Sequence, residues 1–175
     1  MLAVAIYLLI GYFPAYFIAN LHMTLNQSMV VSFVGLFTLT LCVPLVGRLV
    51  DRVGAYKVFA VGAGCFLVGS YVIFDLLVRG GSISAMACVT LTAIFLSMIA
   101  ASILPIITAA FPANVRCSGV SVGYNISMSL FGGTTPLIAM MSCQYFGVET
   151  APAGYLILSA FLSLLALYFL NKNNN

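Results

Sequence analysis

All ten ionisable side chains of this chain (six Lys/Arg, three Asp/Glu, one His) fall in the short gaps between about six long apolar stretches. A charge at a bilayer centre costs roughly 2.5–3.5 kcal/mol or more, so this spacing is what repeated membrane crossing demands. A soluble domain spreads charge over its surface at roughly 25% of residues. Here the figure is 5%. With 63% hydrophobic residues in a length of 175, the chain lacks the polar surface to cover a water-facing globule. Each span needs about 20 apolar residues, so six spans with short connections nearly use up the length and leave no room for a soluble catalytic domain.

The gaps carry most of the remaining information. The net charge of +3 comes from basic residues scattered singly over the connections, which fits positive-inside topology and not nucleic-acid contact. Five cysteines (Cys42, Cys65, Cys88, Cys117, Cys143) are widely spaced and form no CxxC or Cys/His cluster, so no disulfide framework, metal or cofactor is expected. They read as small apolar packing residues. The opening stretch has neither a basic n-region nor a small-residue cleavage site, so a cleaved signal peptide is not expected.

The spans are expected at 1–20, 28–47, 57–75, 83–111, 118–145 and 154–171. Together they form one six-helix domain over 1–171, followed by a disordered Asn-rich tail over 172–175. Helices are the expected form, because the runs are far longer than barrel strands. The fourth and fifth spans exceed the minimum, which predicts tilt or a bend near Pro105 and Pro136. Arg48, Arg52, Lys57, Arg116 and Lys172 fall on one side, with Asp51. His22, Arg79, Asp75 and Glu149 fall on the other. This asymmetry puts both termini and the connections around 48–57 and 112–117 in the cytoplasm, with the chain in the cell (inner) membrane. Ala60 with Gly64, and Cys65 with Gly69, have helix-packing spacing in the third span. A faint three-span repeat sets Pro14 against Pro105 and Pro44 against Pro136. Inverted repeats with interrupted helices at matching positions are a transporter signature.

The densest local signal is Gly47-Arg48-Leu49-Val50-Asp51-Arg52-Val53-Gly54-Ala55-Tyr56-Lys57, read as a tight hairpin between the second and third spans. Gly54 can take backbone angles other residues resist, and Gly47 allows close approach at a helix end. Asp51 can meet the positive end of a helix or pair with Arg48 or Arg52, giving a contact that can form and break; the plain alternative is a positive-inside loop with one acid. The stretch resembles the G-x-L-x-D-R-x-G-x-K/R loop of the major facilitator superfamily, departing from it at Ala55 and Tyr56. A second stretch, Phe111-Pro112-Ala113-Asn114-Val115-Arg116 followed by Tyr124-Asn125-Ile126-Ser127, Phe131-Gly132-Gly133 and Pro136, is similar to the metabolite:proton symporters of that superfamily, which include proline/betaine, 2-oxoglutarate and citrate carriers. The resemblance covers essentially the whole chain, aligned to the C-terminal six of twelve helices. It implies an all-α membrane protein forming one half of that fold, built as two three-helix inverted repeats, with a gating role for Gly47, Arg48, Asp51, Arg52, Gly54 and Lys57 and a cytoplasmic connection at Arg116.

In the fifth span Ser121, Asn125, Ser129, Gly132 or Gly133, and Pro136 fall at steps of three or four, a face suited to a cavity. Asn125, the most polar side chain within any span, serves either substrate contact or an interhelical hydrogen bond. Gly132, Gly133 and Pro136 can loosen the helix and free carbonyls. The fourth span offers a poorer face through Thr90, Ser97, Ala101, Pro105 and Thr108. Tyr12 and Tyr16, one turn apart in the first span, line a cavity, pack against a neighbour or anchor at the interface. Gly119-Val120-Ser121-Val122-Gly123 matches the G-x-S-x-G nucleophile pattern, but begins a membrane helix, and the only histidine, His22, lies on the opposite expected side.

A facilitator rocks two six-helix halves around a midplane site. This chain supplies one half and opens on a span where the family has a preceding half, so it is expected to be a C-terminal half or truncated form that needs an N-terminal six-helix half to transport. The ligand expected is a small osmolyte or organic acid moved by alternating access, with protons as co-substrate. A non-transporting remnant or subunit is the alternative, and an enzyme is not expected, because no catalytic pair shares a helix face. No acid or His lies inside a span, since Asp75 and Glu149 sit at edges away from the cytoplasm, so a proton-coupling residue belongs to the other half or the carrier is not proton-driven. The absence of Arg or Lys within the membrane leans towards a zwitterion.

Overall fold

A computed structural model describes residues 1–173, and every long element in it is a helix. Six helices are long and apolar enough to span a bilayer: α1 (Leu2–Ala19), α2 (Leu25–Val53), α3 (Ala55–Val78), α4 (Ser82–Ala109), α5 (Arg116–Phe146) and α6 (Pro152–Asn173). Among the described residues there is no strand. In hydrocarbon each backbone amide and carbonyl must be satisfied within its own segment, which the α-helix achieves without a neighbour. Residues 20–24, 79–81 and 147–151 connect helices on one side of the bundle. Gly54 and residues 110–115 connect them on the other.

The helices overrun the apolar windows. A capping box opens α2: the Gln27 amide donates to Thr24 Oγ1 at 3.3 Å, and the Thr24 amide donates to Gln27 Oε1 at 3.0 Å. The same helix then runs through Arg48, Asp51 and Arg52 to Val53, well past the expected end at 47, because no residue in that stretch resists helical angles until Gly54. At the far end α6 continues through Lys172 and Asn173, the start of the expected disordered tail, with a cation in its last turn facing the negative pole of the helix. The remaining tail residues, 174–175, lie outside the described residues.

Helix–helix association in lipid depends on close packing, since lipid tails are as apolar as leucine. Accordingly α3 presents a stripe of Phe59, Ala63, Phe66, Ser70, Ile73 and Leu77 at helical spacing, all buried. It meets α4 on one flank and α6 on the other. Gly62 lets α3 approach Met98 and Ile99, and Gly69 admits the Phe95 ring. Gly64, expected to pack through its pairing with Ala60, instead faces open space. The other extensive pairings are α2 with α4, and α1 with α5. Exchanging α1 with α4, α2 with α5 and α3 with α6 returns α3–α6 to itself and swaps α2–α4 with α1–α5, as two inverted three-helix repeats do, whereas α3–α4 maps onto α1–α6, which touch only slightly. Of the six, α2 and α5 are the least buried long helices.

Buried hydroxyls of α3 and α4 are satisfied within their own helix, whereas Ser28 of α2 donates across to Pro14 O of α1 at 3.1 Å. Ser70, Thr92 and Ser102 each donate to the carbonyl four residues back.

The expected interruption pattern is only partly present. Pro105 does not break α4, which stays α-helical from Ser82 to Ala109, and Pro44 does not break α2. Instead α1 and α5 each contain one π-helical turn, at Leu8–Tyr12 and Met128–Gly132. Pro14 and Pro136 lie just beyond these turns and cannot donate to the carbonyls of Ile10 and Gly132 within them. A widened turn relieves the clash between the proline ring and that carbonyl. Both affected helices also carry glycine there, Gly11 and Gly132–Gly133, whereas neither Pro44 nor Pro105 has glycine in the turn before it. The interrupted pair is therefore α1 with α5, across the seam, and not the repeat-related partners that the prolines suggested.

Candidate functional site

The charged stretch between α2 and α3 folds as a one-residue joint, not as a hairpin loop. Gly54 alone is non-helical, at φ 100° and ψ 141°, a region that a Cβ strongly disfavours. Its amide donates to Val50 O at 2.9 Å, closing α2, and its carbonyl accepts from the Val58 amide at 3.3 Å, opening α3. Arg48, Asp51, Arg52 and Lys57 are all exposed, and a Cβ on Gly47 would meet nothing. Asp51 pairs with neither Arg48 nor Arg52. Among the described residues the one ion pair within 4.0 Å is Arg79–Asp75 at 2.6 Å, on the opposite side. Asp51 lies in the last turn of α2, where the carbonyl ends disfavour a carboxylate, so its own helix gives it no stabilisation.

The α1–α5 seam brings the two π-turns against their neighbours. Gly132 is buried, and a Cβ there would lie 2.6 Å from the Tyr7 ring; a Cβ on Gly11 would lie 3.1 Å from Pro136 Cγ. The extra residue in the π-turn of α5 shifts the helical register. Gly132, Thr135 and Pro136 consequently turn inward, while Ser121, Asn125, Ser129 and Gly133 stay exposed. The single polar face expected from Ser121 to Pro136 is thus cut short at Gly133. Asn125 Nδ2 donates to Ser121 O at 2.8 Å and reaches no other helix, so it does not serve as an interhelical bond within this half.

Beyond the π-turn of α1, Tyr12 and Tyr16 are almost wholly buried and stand side by side, with ring centroids 5.8 Å apart. Both line a cavity of about 240 Å³ between α1 and α5, together with Asn20, Met140, Cys143 and Gln144. The Tyr12 hydroxyl lies 3.3 Å from Cys143 Sγ, and the Tyr16 hydroxyl donates to the Glu149 carboxylate. Cys143 Sγ also lies 3.8 Å from the Glu149 carbonyl. A second cavity of about 170 Å³, towards the Gly54 side, is lined mainly by apolar groups such as Phe59, Ile103, Ile107 and Phe111, with Tyr124, Ser127 and Ser163 as its polar side chains.

Other expected site residues fall elsewhere. Ser97 is fully buried and donates to Ile94 O at 2.7 Å, so it packs inside the bundle and lines no open face. Its neighbour on the expected face, Thr108, is held by Leu104 O and Pro105 O at 2.8 and 3.1 Å. Arg116 opens α5 and donates to Phe111 O at 3.2 Å, pinning the 110–115 connection. Gly119 and Gly123 lie in the first turns of α5, where no strand-to-helix elbow exists, and His22 sits in the 20–24 connection at φ 50°. Sequence reading missed Cys143, Gln144, Asn20 and Glu149 as neighbours of the tyrosines. Apart from Asn20, one turn beyond Tyr16, the tyrosine pair was the only local signal, because Cys143, Gln144 and Glu149 lie over 100 residues away along the chain.

The family model described as Major Facilitator Superfamily matches residues 1–174. An ectoine/proline transporter of Corynebacterium glutamicum is 32% identical over 171 residues, covering 96% of this chain and 33% of its own length. A putative proline/betaine transporter of Staphylococcus aureus is 31% identical over 170 residues, covering 94% and 35% respectively. The citrate-proton symporter of Klebsiella pneumoniae is 27% identical over 175 residues, covering 99% and 39%. The chain therefore spans about a third of the length of the curated relatives it matches. No solved structure matches it.

Proposed function

This chain belongs to the major facilitator superfamily, among its metabolite:proton symporters, and from that premise we propose that it forms the C-terminal six-helix wall of a carrier for a small osmolyte or organic acid. The observation that carries the reading is the family match over residues 1–174. Relatives named for ectoine, proline, betaine and citrate set the range of ligands. The exposed polar face of α5, with Ser121, Asn125 and Ser129, supports a second wall: in lipid such groups are costly, and an opposing half or a water-filled pathway relieves the cost. Alternating access then comes from rocking the two halves about a midplane site.

In this reading Asp51 finds its partner on the complementary half, since α2 offers it none, and Arg48, Arg52 and Lys57 hold that side to the cytoplasm together with both termini in the inner membrane. Gly54 keeps the joint compact. Proton coupling, if the carrier is a symporter like its citrate relative, uses an acid in the other half, because Asp51 and Asp75 sit at the ends of their helices, Glu149 sits in a connection, and no carboxylate lies at mid-span here. Proteoliposomes holding this chain alone should show no saturable uptake of proline, glycine betaine or citrate. Adding the N-terminal half of the C. glutamicum relative should restore uptake of at least one. Saturable, proton-dependent uptake by the chain alone overturns the half-carrier reading.

A further inference from the structure

The cavity between α1 and α5 lies on the side of the bundle opposite Gly54, within this half, and its chemistry is unlike that of the rest of the molecule. Two tyrosine rings form adjacent walls. A carboxylate, Glu149, is held one hydrogen bond away by the Tyr16 hydroxyl, and Glu149 is itself exposed. Two side-chain amides, Asn20 and Gln144, complete the polar lining. Among the described residues no Lys or Arg lines the cavity. Aromatic faces attract a cation through their quadrupole, most strongly where water is excluded, and a nearby carboxylate adds charge attraction. Amide N–H groups can donate to a carboxylate. The two features together fit a ligand carrying both charges at close range.

We propose that this cavity binds a small zwitterion with an onium group, the cation against Tyr12 and Tyr16 beside Glu149 and the carboxylate towards Asn20 and Gln144. The proposal rests on the carrier reading and deepens it by choosing the zwitterionic osmolyte over the organic acid. A polyanion such as citrate meets Glu149 without a compensating basic group and is disfavoured. The hydrogen bond from Tyr16 to Glu149 orients the carboxylate and ties the 147–151 connection to α1, so the site is assembled before the ligand arrives.

Cys143 lines the cavity and gives a direct readout. The full chain in proteoliposomes is treated with a maleimide, and modification of Cys143 is followed by mass spectrometry in the presence of glycine betaine, tetramethylammonium or citrate. Glycine betaine and tetramethylammonium should slow labelling, and citrate should not. Glu149→Gln should raise the concentration giving half protection by about tenfold, and Tyr16→Leu by at least as much. Cys88, fully buried, must stay unlabelled throughout, which certifies that each variant is folded. Protection by citrate as strong as by glycine betaine, no protection by any probe, or full protection retained in Glu149→Gln each overturns the proposal. Uptake restored by a complementary half while Cys143 is never protected defeats this site and leaves the carrier reading intact. Protection without uptake alongside any complementary half defeats the carrier reading and leaves the site.

Discussion

Two glycines two residues apart on α3 provide a test of how this bundle is held together. At Gly62 an added Cβ would sit 2.8 Å from Met98 Cβ and 3.1 Å from Ile99 Cδ1, against 3.4–4 Å for ordinary van der Waals contact. Met98 Cβ is fixed to the α4 backbone, so no rotamer change can make room, and α3 must move away from α4. Overpacking of that kind costs typically 1–3 kcal/mol. At Gly64 an added Cβ meets nothing within 4 Å. Both substitutions to alanine gain about 1 kcal/mol from relief of the glycine penalty in a helix interior. Gly64→Ala should therefore be neutral to about 1 kcal/mol more stable, and Gly62→Ala up to about 2 kcal/mol less stable. The gap between the two variants should be about 1–3 kcal/mol, roughly 5- to 150-fold in the folding equilibrium. Unfolding in mixed micelles with increasing SDS, read by far-UV circular dichroism, measures it without tryptophan, which the chain lacks. Equal stabilities, or Gly64→Ala the weaker of the two, would refute the α3–α4 contact as described and return Gly64 to the packing role its spacing suggested.

Three further outcomes follow from the same geometry. Gly54→Ala, at φ 100° and ψ 141°, should cost about 1–3 kcal/mol in the same assay, and an unchanged midpoint would mean the joint is not held at those angles. Ser97→Ala removes a hydroxyl already bonded to Ile94 O, so once the chain is assembled with a complementary half the KM for uptake should stay unchanged; a raised KM would restore Ser97 to the transport pathway. Asp51→Asn in that assembly should alter the cycling rate with little loss of ligand affinity, and unchanged kinetics would remove Asp51 from gating.

Span number and type were legible because the electrostatic penalty in hydrocarbon acts on each residue separately and leaves its trace in order along the chain. The joint was harder to read. Charged residues at 48, 51 and 52 mark the end of hydrocarbon, not the end of helix, so the apolar window closed at 47 while α2 ran to Val53. Ser97 and Asn125 show a similar limit. Both are polar residues at plausible face positions, but one hydroxyl turns into the bundle and bonds its own helix, while the amide stays outside. Helical spacing alone could not tell these apart, because burial depends on which neighbour each face meets. The π-turn in α5 adds a further difficulty. Counting by threes and fours assumes a constant pitch, and one extra residue near Met128–Gly132 carried Pro136 off the expected face. The site around Tyr12 and Tyr16 was half visible: the aromatic pair is local, whereas Cys143 and Glu149 reach it only through the tertiary fold.

The joint at Gly54 also changes what a visitor from that side can grip. A protease or a binding segment needs a few residues of extended chain, and exposed loop tips are where nicking concentrates. A single glycine between two rigid helices provides none. Residues 110–115, with Arg116 pinned to Phe111, are the only multi-residue connection between helices on that surface among the described residues. Limited digestion from the Gly54 side should therefore split the chain into a four-helix and a two-helix piece.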